Sequence, residues 1–174
     1  MLQEFKTFIA RGNVLDLARG LARESSSDID LRALLHELAG SDGRVTVASP
    51  ELQVRTAPLA LRRAVGNLLD NARRYGGEMP IELVAEVWAG EVRIGVLDRG
   101  HGIPEDQLAA VFEPFHRVDA ARSPATGGAG LGLAIVRQLA ETNHWRVELK
   151  HREGGGLEAW LILPTPALLP AQDA

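Results

Sequence analysis

Residues 81–104 read IELVAEVWAGEVRIGVLDRGHGIP, and this stretch decides the fold. Apolar and polar residues alternate on both sides of Gly90, a pattern that predicts strands at residues 81–89 and 91–98. Two strands joined by so short a turn pair antiparallel. The stretch is therefore predicted to form a β-hairpin whose second strand ends in the glycine-containing loop at residues 98–102.

Helices and further strands are predicted on both sides of this hairpin. Apolar residues recur at helical spacing in residues 58–75 and 131–142, and Asp28 or Asp30 can cap a shorter helix that Gly40 ends. Alternating patterns predict extended segments at residues 44–49, 52–55, 145–151 and 157–163. This order predicts an α+β fold, a two-layer sandwich with helices on one face of a mixed, mainly antiparallel sheet.

A long segment at residues 99–128 interrupts this regular pattern. It carries glycines, prolines and charged residues, and only residues 104–111 look helical. So long a loop inside a compact domain is uncommon unless it serves a function, so we predict a lid over a binding site.

The composition limits the classes of function. The chain has 174 residues, enough for one compact domain, which we assign to residues 25–164 with a flexible tail at residues 165–174. The absence of cysteine excludes disulfides and thiolate metal sites, and a formal net charge of -4 argues against nucleic-acid binding. No apolar run approaches the ~20 residues of a membrane helix and no signal peptide is visible, so we expect a cytoplasmic domain.

One face of the helix at residues 58–75 carries polar side chains that suit a phosphate ligand. At ~100° per residue, Asn67, Asn71 and Arg74 share a stripe, while the apolar residues of the helix share another. Amide oxygens can ligate Mg²⁺ that already carries phosphate oxygens, and an adjacent arginine neutralises phosphate charge. The alternative is an ordinary solvated polar face.

The loop at residues 98–102, DRGHG, suits a flat ligand. Gly100 and Gly102 permit tight turns and a close approach, and Ile103 is available to pack on a ring. The Asp98 carboxylate only accepts hydrogen bonds, so it suits the amino group of adenine and not the carbonyl of guanine. The alternative is a glycine turn in which Asp98 bonds only to nearby backbone.

Residues 127–133, GGAGLGL, lead directly into the helix predicted at residues 131–142. Unpaired backbone N–H groups at Gly128, Gly130, Leu131 and Gly132 are then available to bind phosphate at the positive end of the helix dipole. The spacing alone is weakly specific, because no strand precedes it as in dinucleotide-binding folds and no Gly-Lys-Ser/Thr follows as in a P-loop. A flexible linker is the alternative.

Taken together and in this order, Asn71, DRGHG at residues 98–102, FEPF at residues 112–115 and GAGLGL at residues 128–133 resemble the N, G1, F and G2 boxes of sensor histidine kinases. The resemblance covers residues 27–164, and EAWL at residues 158–161 looks most like the osmosensor-type kinases. It implies the two-layer ATP-binding fold of the gyrase, chaperone and histidine kinase superfamily, with ATP and Mg²⁺ as ligands.

The resemblance also implies a role for individual residues. Asn71 would ligate Mg²⁺, Tyr75 would border the base and Asp98 would receive the adenine amine. Arg117 and Arg122 would be lid arginines that act in catalysis with Asn71, although solvated loop charge is the alternative. The ATP-binding residues expected on this basis are Asn67, Asn71, Arg74, Tyr75, Asp98, Gly100, Gly102, Ile103, Gly128, Gly130, Leu131 and Gly132. Phe112 and Phe115 are either core aromatics or an anchor that couples the lid to the nucleotide.

The expected reaction is transfer of the γ-phosphoryl group of ATP to a histidine. Hydrolytic relatives place a glutamate one helical turn before the metal asparagine, where this chain has Asn67, so general-base hydrolysis is disfavoured. His36 imitates the acceptor box, but the residues after Leu38 lack its continuation, so His36 is interpreted as structural. The acceptor is expected on a separate dimerisation domain of a membrane-anchored parent kinase that serves a response regulator, and this chain alone is not expected to autophosphorylate.

The N-terminal residues carry a second resemblance. Residues 4–18, EFKTFIARGNVLDLA, resemble the start of large-conductance mechanosensitive channels, but RGLARE at residues 19–24 stands where a membrane helix would begin. We therefore interpret residues 1–18 as a fusion within an amphipathic helix at residues 1–24, whose apolar stripe predicts homodimer formation. The alternative is that residues from Leu15 onward end a kinase dimerisation helix.

Two other functions remain open at this stage. One is a regulatory module that senses nucleotide or phosphorylates serine, as anti-sigma-like kinases of the same superfamily do. The other is a self-associating fusion whose N-terminal helix sets the assembly.

Overall fold

The computed structural model describes residues 24–118 and 130–164. The strands are β1 (Ser27–Asp30), β2 (Val45–Ala48), β3 (Gln53–Thr56), β4 (Ile81–Trp88), β5 (Glu91–Leu97), β6 (Arg146–His151) and β7 (Leu157–Leu163). The helices are α1 (Leu31–Ala39), α2 (Pro58–Tyr75) and α3 (Gly132–Thr142). The predictions for residues 1–23 and 165–174, and those for Arg122 and Gly128, lie outside the described residues.

Five strands form the main sheet, in the order β2-β4-β5-β7-β6. β2 pairs parallel with β4, and the other three pairings are antiparallel. The hairpin predicted around Gly90 forms with Trp88 opposite Glu91, and both turn residues, Ala89 and Gly90, have positive φ. That geometry matches the right-handed twist of the strands. The mixed, mainly antiparallel sheet predicted from the sequence is confirmed.

Residues 27–30 form a strand that the sequence did not predict. This strand, β1, pairs antiparallel with β3 in a separate two-stranded sheet. The polar stretch around Ser27 has no apolar alternation, so only pairing with a segment about 25 residues away makes it a strand. The helical stretch predicted near residues 104–111 consists of two short 3₁₀ helices, Glu105–Gln107 and Ala110–Phe112.

The helix ends show where local and distant residues stabilise the fold. Asp30 caps α1 through a 2.9 Å hydrogen bond that its Oδ1 accepts from the Ala33 N–H. Ala57 provides no side-chain cap for α2, and the Glu24 carboxylate takes that role by accepting hydrogen bonds from the N–H groups of Leu59 (2.8 Å) and Ala60 (3.1 Å). A carboxylate at this end of a helix is stabilised by the helix dipole.

The core lies between the three helices and one face of the main sheet. Leu61, Val65, Leu68 and Ala72 of α2 are all buried, which confirms the apolar stripe predicted for this helix. The opposite face of the sheet carries a smaller cluster in which the Trp160 ring lies over Gly95. None of the helices in the two described ranges is long and apolar enough to cross a membrane.

An ion cluster around Asp42 joins α1, α2 and the start of β2. Asp42 accepts hydrogen bonds from the side chains of Arg44 and Arg73, each at 3.1 Å. Arg73 also donates to the carbonyls of Leu38 (3.3 Å) and Ala39 (3.1 Å), which are the last carbonyls of α1. The hydrogen bonds from Arg44, with a smaller effect of Arg73, lower the pKa of Asp42 to about 2.

This cluster predicts how stability depends on acid. Because the pKa of Asp42 falls from 3.8 to about 2 on folding, its contribution is fully present above pH 3.8 and is lost as the pH falls through about 2. We expect Asp42→Asn to lower the free energy of unfolding at pH 7 and to make the loss of stability below pH 4 shallower. Urea unfolding at several pH values measures both effects, with the exposed Asp106→Asn as control. An acid dependence of Asp42→Asn as steep as that of the wild type would contradict the prediction.

Candidate functional site

Three elements converge on one cavity of about 610 Å³. They are the polar face of α2, the loop that follows β5 and the N-terminal end of α3. The predicted residues that line the cavity are Asn67, Asn71, Arg74, Tyr75, Asp98, Gly102, Ile103, Arg117, Gly130, Leu131 and Gly132. Gly100 lies just behind the wall, where its backbone packs against the Tyr75 carbonyl. The three separate motifs of the sequence thus form one site.

Asp98 forms the buried end of this cavity. Only 6% of the residue is exposed, and its Oδ1 accepts a 2.7 Å hydrogen bond from the Gly100 N–H. Across residues 24–118 and 130–164, no donor is found for its Oδ2. Val96, Leu157 and Ala159 also line the cavity, and they are close to Asp98 because Ala159 pairs with Val96 and the Leu157 carbonyl accepts the Asp98 N–H. The arrangement offers an apolar slot with a single acceptor-only group, which suits a flat ring that carries an amino group.

The amides of α2 lie against the start of α3. A Cβ built on Gly132 would be 3.3 Å from Asn71 Oδ1 and 3.8 Å from Asn67 Oδ1, so only glycine leaves this space open. The Asn67 Nδ2 donates to the Arg63 carbonyl at 3.0 Å, and this bond orients its amide. The space between α2 and α3 is therefore lined by amide oxygens.

The N-terminal end of α3 presents backbone N–H groups beside the cavity. Leu131 makes no side-chain capping bond, and the first hydrogen bond of the helix runs from the Ile135 N–H to the Leu131 carbonyl at 2.9 Å. The N–H groups of residues 132–134 therefore lack partners within the helix. Together with the helix dipole, they make this end suitable for an anion.

Phe115 and Gly130 meet beside the cavity. The Phe115 N–H donates to the Gly130 carbonyl at 2.9 Å, and Phe115 has a φ of 67°. Phe115 is 38% exposed, so the alternative that it is a core aromatic was wrong, while Phe112 is half-buried and both of its interpretations stay open. Arg117, which follows Phe115, lines the cavity.

The sequence did not identify several residues that line the cavity. His101 lies against Tyr75 in an edge-to-face contact with 6.0 Å between ring centroids, and His116 enters from the lid. The apolar residues Val96, Leu157 and Ala159 were assigned only to strands. The alternation of the strand could have identified Val96 as a cavity residue. Val96 lies two residues before Asp98, and side chains at that spacing point to the same side of a strand.

The chain matches one family over most of its folded part. Residues 56–167 match the family described as "Histidine kinase-, DNA gyrase B-, and HSP90-like ATPase". The chain belongs to this ATPase family. The match includes all of α2, the loop after β5 and α3, so it covers every element that lines the cavity.

Relatives of this ATPase domain are sensor histidine kinases. The sensor histidine kinase GtrS of Pseudomonas aeruginosa is 41% identical over 145 residues, which are 81% of this chain and 29% of that protein. Full-length ShkA in complex with AMPPNP is similar over 98% of this chain and 38% of its own, with a TM-score of 0.74 and 25% identity. The histidine kinase domain of the E. coli osmosensor EnvZ is similar over 85% of this chain and 93% of its own, with a TM-score of 0.61 and 34% identity.

These similarities confirm the predicted kinship with histidine kinase ATP-binding domains. The ATPase domain spans less than half the length of the curated relatives it matches.

The geometry of this ATPase site predicts the effect of removing the Asp98 carboxylate. Asp98→Ala is expected to weaken ATP·Mg²⁺ binding roughly ten- to a hundredfold, because an unpaired amino group in an apolar slot costs about 1–3 kcal/mol. Isothermal titration calorimetry measures the dissociation constant. Asp28→Ala, which removes a surface carboxylate that pairs with Arg55 on the two-stranded sheet, is the control. Wild-type affinity in Asp98→Ala would contradict the assignment.

Proposed function

We propose that this chain is the ATP-binding catalytic domain of a two-component sensor histidine kinase, which donates the γ-phosphoryl group of ATP to a histidine on a separate dimerisation domain. The observation that carries the proposal is the convergence of Asp98, Asn71 and the N-terminal end of α3 on one cavity. A cavity with a hydrogen-bond acceptor for an amino group at one end and hydrogen-bond donors for an anion at the other fits a nucleoside triphosphate.

The charge and shape of the site at Asp98 select adenine over guanine. The Asp98 carboxylate receives the adenine amino group, and guanine would instead present a carbonyl to an acceptor-only group. Ile103 and Tyr75 border the ring, and the backbone of Gly100 and Gly102 allows the loop to approach it. A site that leaves a buried polar group unpaired rejects the wrong base strongly.

The phosphate end combines neutral and positive groups. The N–H groups at Gly130, Leu131 and Gly132 bind phosphate oxygens, and Arg74 and Arg117 neutralise their charge. Within the described residues, no group of three or more His, Cys, Asp or Glu side chains is placed to hold a metal ion. The Asn71 amide oxygen therefore suits Mg²⁺ that arrives with the nucleotide, and this ion would neutralise phosphate charge.

The residue types favour transfer over hydrolysis. Asn67 stands one helical turn before Asn71, and an amide cannot take a proton from water. The carboxylates among the described residues that line the cavity are Asp70 and Asp98, and Asp98 belongs to the adenine end. Catalysis then consists of positioning the γ-phosphoryl group and neutralising its charge while an external nucleophile attacks.

The proposed acceptor lies on another domain. A histidine nitrogen bonds to the γ-phosphorus as the bond to the bridging oxygen breaks, and ADP leaves. His36 lies on the exposed face of α1 and is not among the residues that line the cavity. Its backbone carbonyl accepts the Gly40 N–H at the end of the helix, and the structural interpretation of His36 stays a prediction. A response regulator then takes the phosphoryl group from the acceptor histidine. The interpretation of residues 1–18 as a fusion stays a prediction.

Removing the Asn71 amide tests the metal role. Asn71→Ala is expected to raise the Mg²⁺ concentration needed for half-maximal ATP binding roughly tenfold, because the ion loses a protein ligand. Mg²⁺ titration at a fixed ATP concentration measures this shift, and ATP binding in EDTA should change little. Asn143→Ala, at the C-terminal end of α3, is the matched control. An unchanged Mg²⁺ dependence would remove Asn71 from the metal site.

Phosphoryl transfer tests the whole proposal. The chain is mixed with the dimerisation domain of its parent kinase and γ-labelled ATP, and acid-labile, base-stable label is expected on that domain. The same domain with its acceptor histidine changed to glutamine should take no label, and the chain alone should take none. Acid-stable label on a serine would replace this proposal by a serine-kinase function, and label on this chain alone would overturn the assignment of a separate acceptor.

A further inference from the structure

The turn between β6 and β7 packs directly on the loop that carries Asp98. We name residues 152–156 the clasp. The Arg152 N–H donates to the Gly156 carbonyl at 3.2 Å and the Gly155 N–H donates to the Arg152 carbonyl at 3.0 Å, so the turn is closed on itself. Just after it, the Leu157 carbonyl accepts the Asp98 N–H at 2.9 Å. The residue that accepts the Asp98 N–H therefore lies more than 50 residues away in the sequence.

Arg152 connects the clasp to the Asp98 backbone. Its side chain is only 9% exposed, and it forms an ion pair with Glu82 on β4. Its Nη1 donates to the Asp98 carbonyl at 3.5 Å. A guanidinium fixed by a carboxylate at one side has little rotational freedom, so it holds the carbonyl it touches in a constant direction. The Asp98 N–H and the Asp98 carbonyl are therefore both held by this hairpin.

Two further contacts tie the clasp to the same loop. Arg99 Nη1 donates to the Glu153 carbonyl at 2.6 Å and to the Gly155 carbonyl at 3.3 Å. Gly156 has a φ of 104°, and a Cβ built there would overlap the Asp98 carbonyl oxygen and lie 2.8 Å from Arg99 Cα. The backbones approach so closely that any side chain at position 156 must displace Asp98 or the turn.

We propose that Arg152 and Gly156 are positioning residues of the nucleotide site, which fix the Asp98 backbone so that its carboxylate points at the adenine amine. This inference rests on the proposed function, because it assigns the base end of the same site. Neither residue lines the cavity, so neither acts on the nucleotide directly. They act on ligand affinity by positioning Asp98, so they affect the binding only of ligands that carry the base.

The chain offers matched variants for the test. Gly156→Ala adds a methyl group against Asp98, while Gly155→Ala adds one at a similar φ of 100° with no atom within 4 Å. Arg152→Met removes the guanidinium next to Asp98, while Arg146→Met removes one at the opposite end of β6, where it pairs with Glu91. Gly155→Ala carries the same change as Gly156→Ala at a similarly positive φ, and Arg146→Met carries the same change as Arg152→Met at a more exposed arginine.

Two ligands distinguish an effect on binding of the base from an effect on binding of the phosphates. Dissociation constants are measured by calorimetry in the full chain for ATP·Mg²⁺ and for tripolyphosphate·Mg²⁺, a ligand that has no base. We expect Gly156→Ala and Arg152→Met to weaken ATP binding about fivefold or more and to leave tripolyphosphate binding within about twofold of wild type. In the Asp98→Ala background, both changes should have no further effect on ATP, because residues that act through one group are not additive.

Stability is controlled separately. Arg152→Met leaves Glu82 without its partner, so Glu82→Gln combined with Arg152→Met is made as well, and circular dichroism establishes that each variant is folded. An equal loss of affinity for both ligands, or equal losses in Gly156→Ala and Gly155→Ala, would overturn the positioning role. Additive losses in the Asp98→Ala background would also overturn it. A wild-type chain that binds no ATP·Mg²⁺ would instead refute the proposed function itself.

Discussion

The buried carboxylate of Asp98 is the constraint on which the rest of the site depends. Taking a charged group out of water costs free energy unless hydrogen bonds compensate it, and here the Gly100 N–H compensates one oxygen. The other oxygen has no donor among residues 24–118 and 130–164, and the proposed function assigns it to the adenine amino group. The backbone around Asp98 must stay in place for this to work, and β7, the clasp and the end of α2 all pack against it.

α2 connects this site to the core of the domain. One face of the helix is buried against the sheet, and the other presents Asn67, Asn71 and Arg74 to the cavity. Its two ends are held by residues from elsewhere in the chain, since Glu24 caps its start and Asp42 binds Arg73 near its end. A helix fixed along one face and at both ends holds its polar side chains in a constant arrangement, as pre-organised binding requires.

The two ends of the cavity are built differently. The end that we propose for the base is formed by strands and by a turn with several backbone hydrogen bonds, so its geometry is set by the sheet. The end that we propose for the phosphates is formed by the start of α3 and by the segment around Phe115, where the Phe115 N–H donates to the Gly130 carbonyl.

The sequence by itself determined the elements and most of the candidate site. Local periodicity predicted the hairpin around Gly90, the three described helices and the last hairpin, and the order of four short motifs predicted the family. These features depend on neighbours within a few residues, which the sequence displays directly. Only the tertiary structure decided the pairing of β1 with β3 and the contact between Arg152 and Asp98. It also decided that Val96, His101 and His116 line the cavity. Each of these contacts joins segments that are far apart in the sequence, and the local sequence of one segment does not identify the other. Burial and hydrogen bonding between distant residues depend on the order of the strands in the sheet and not on local spacing.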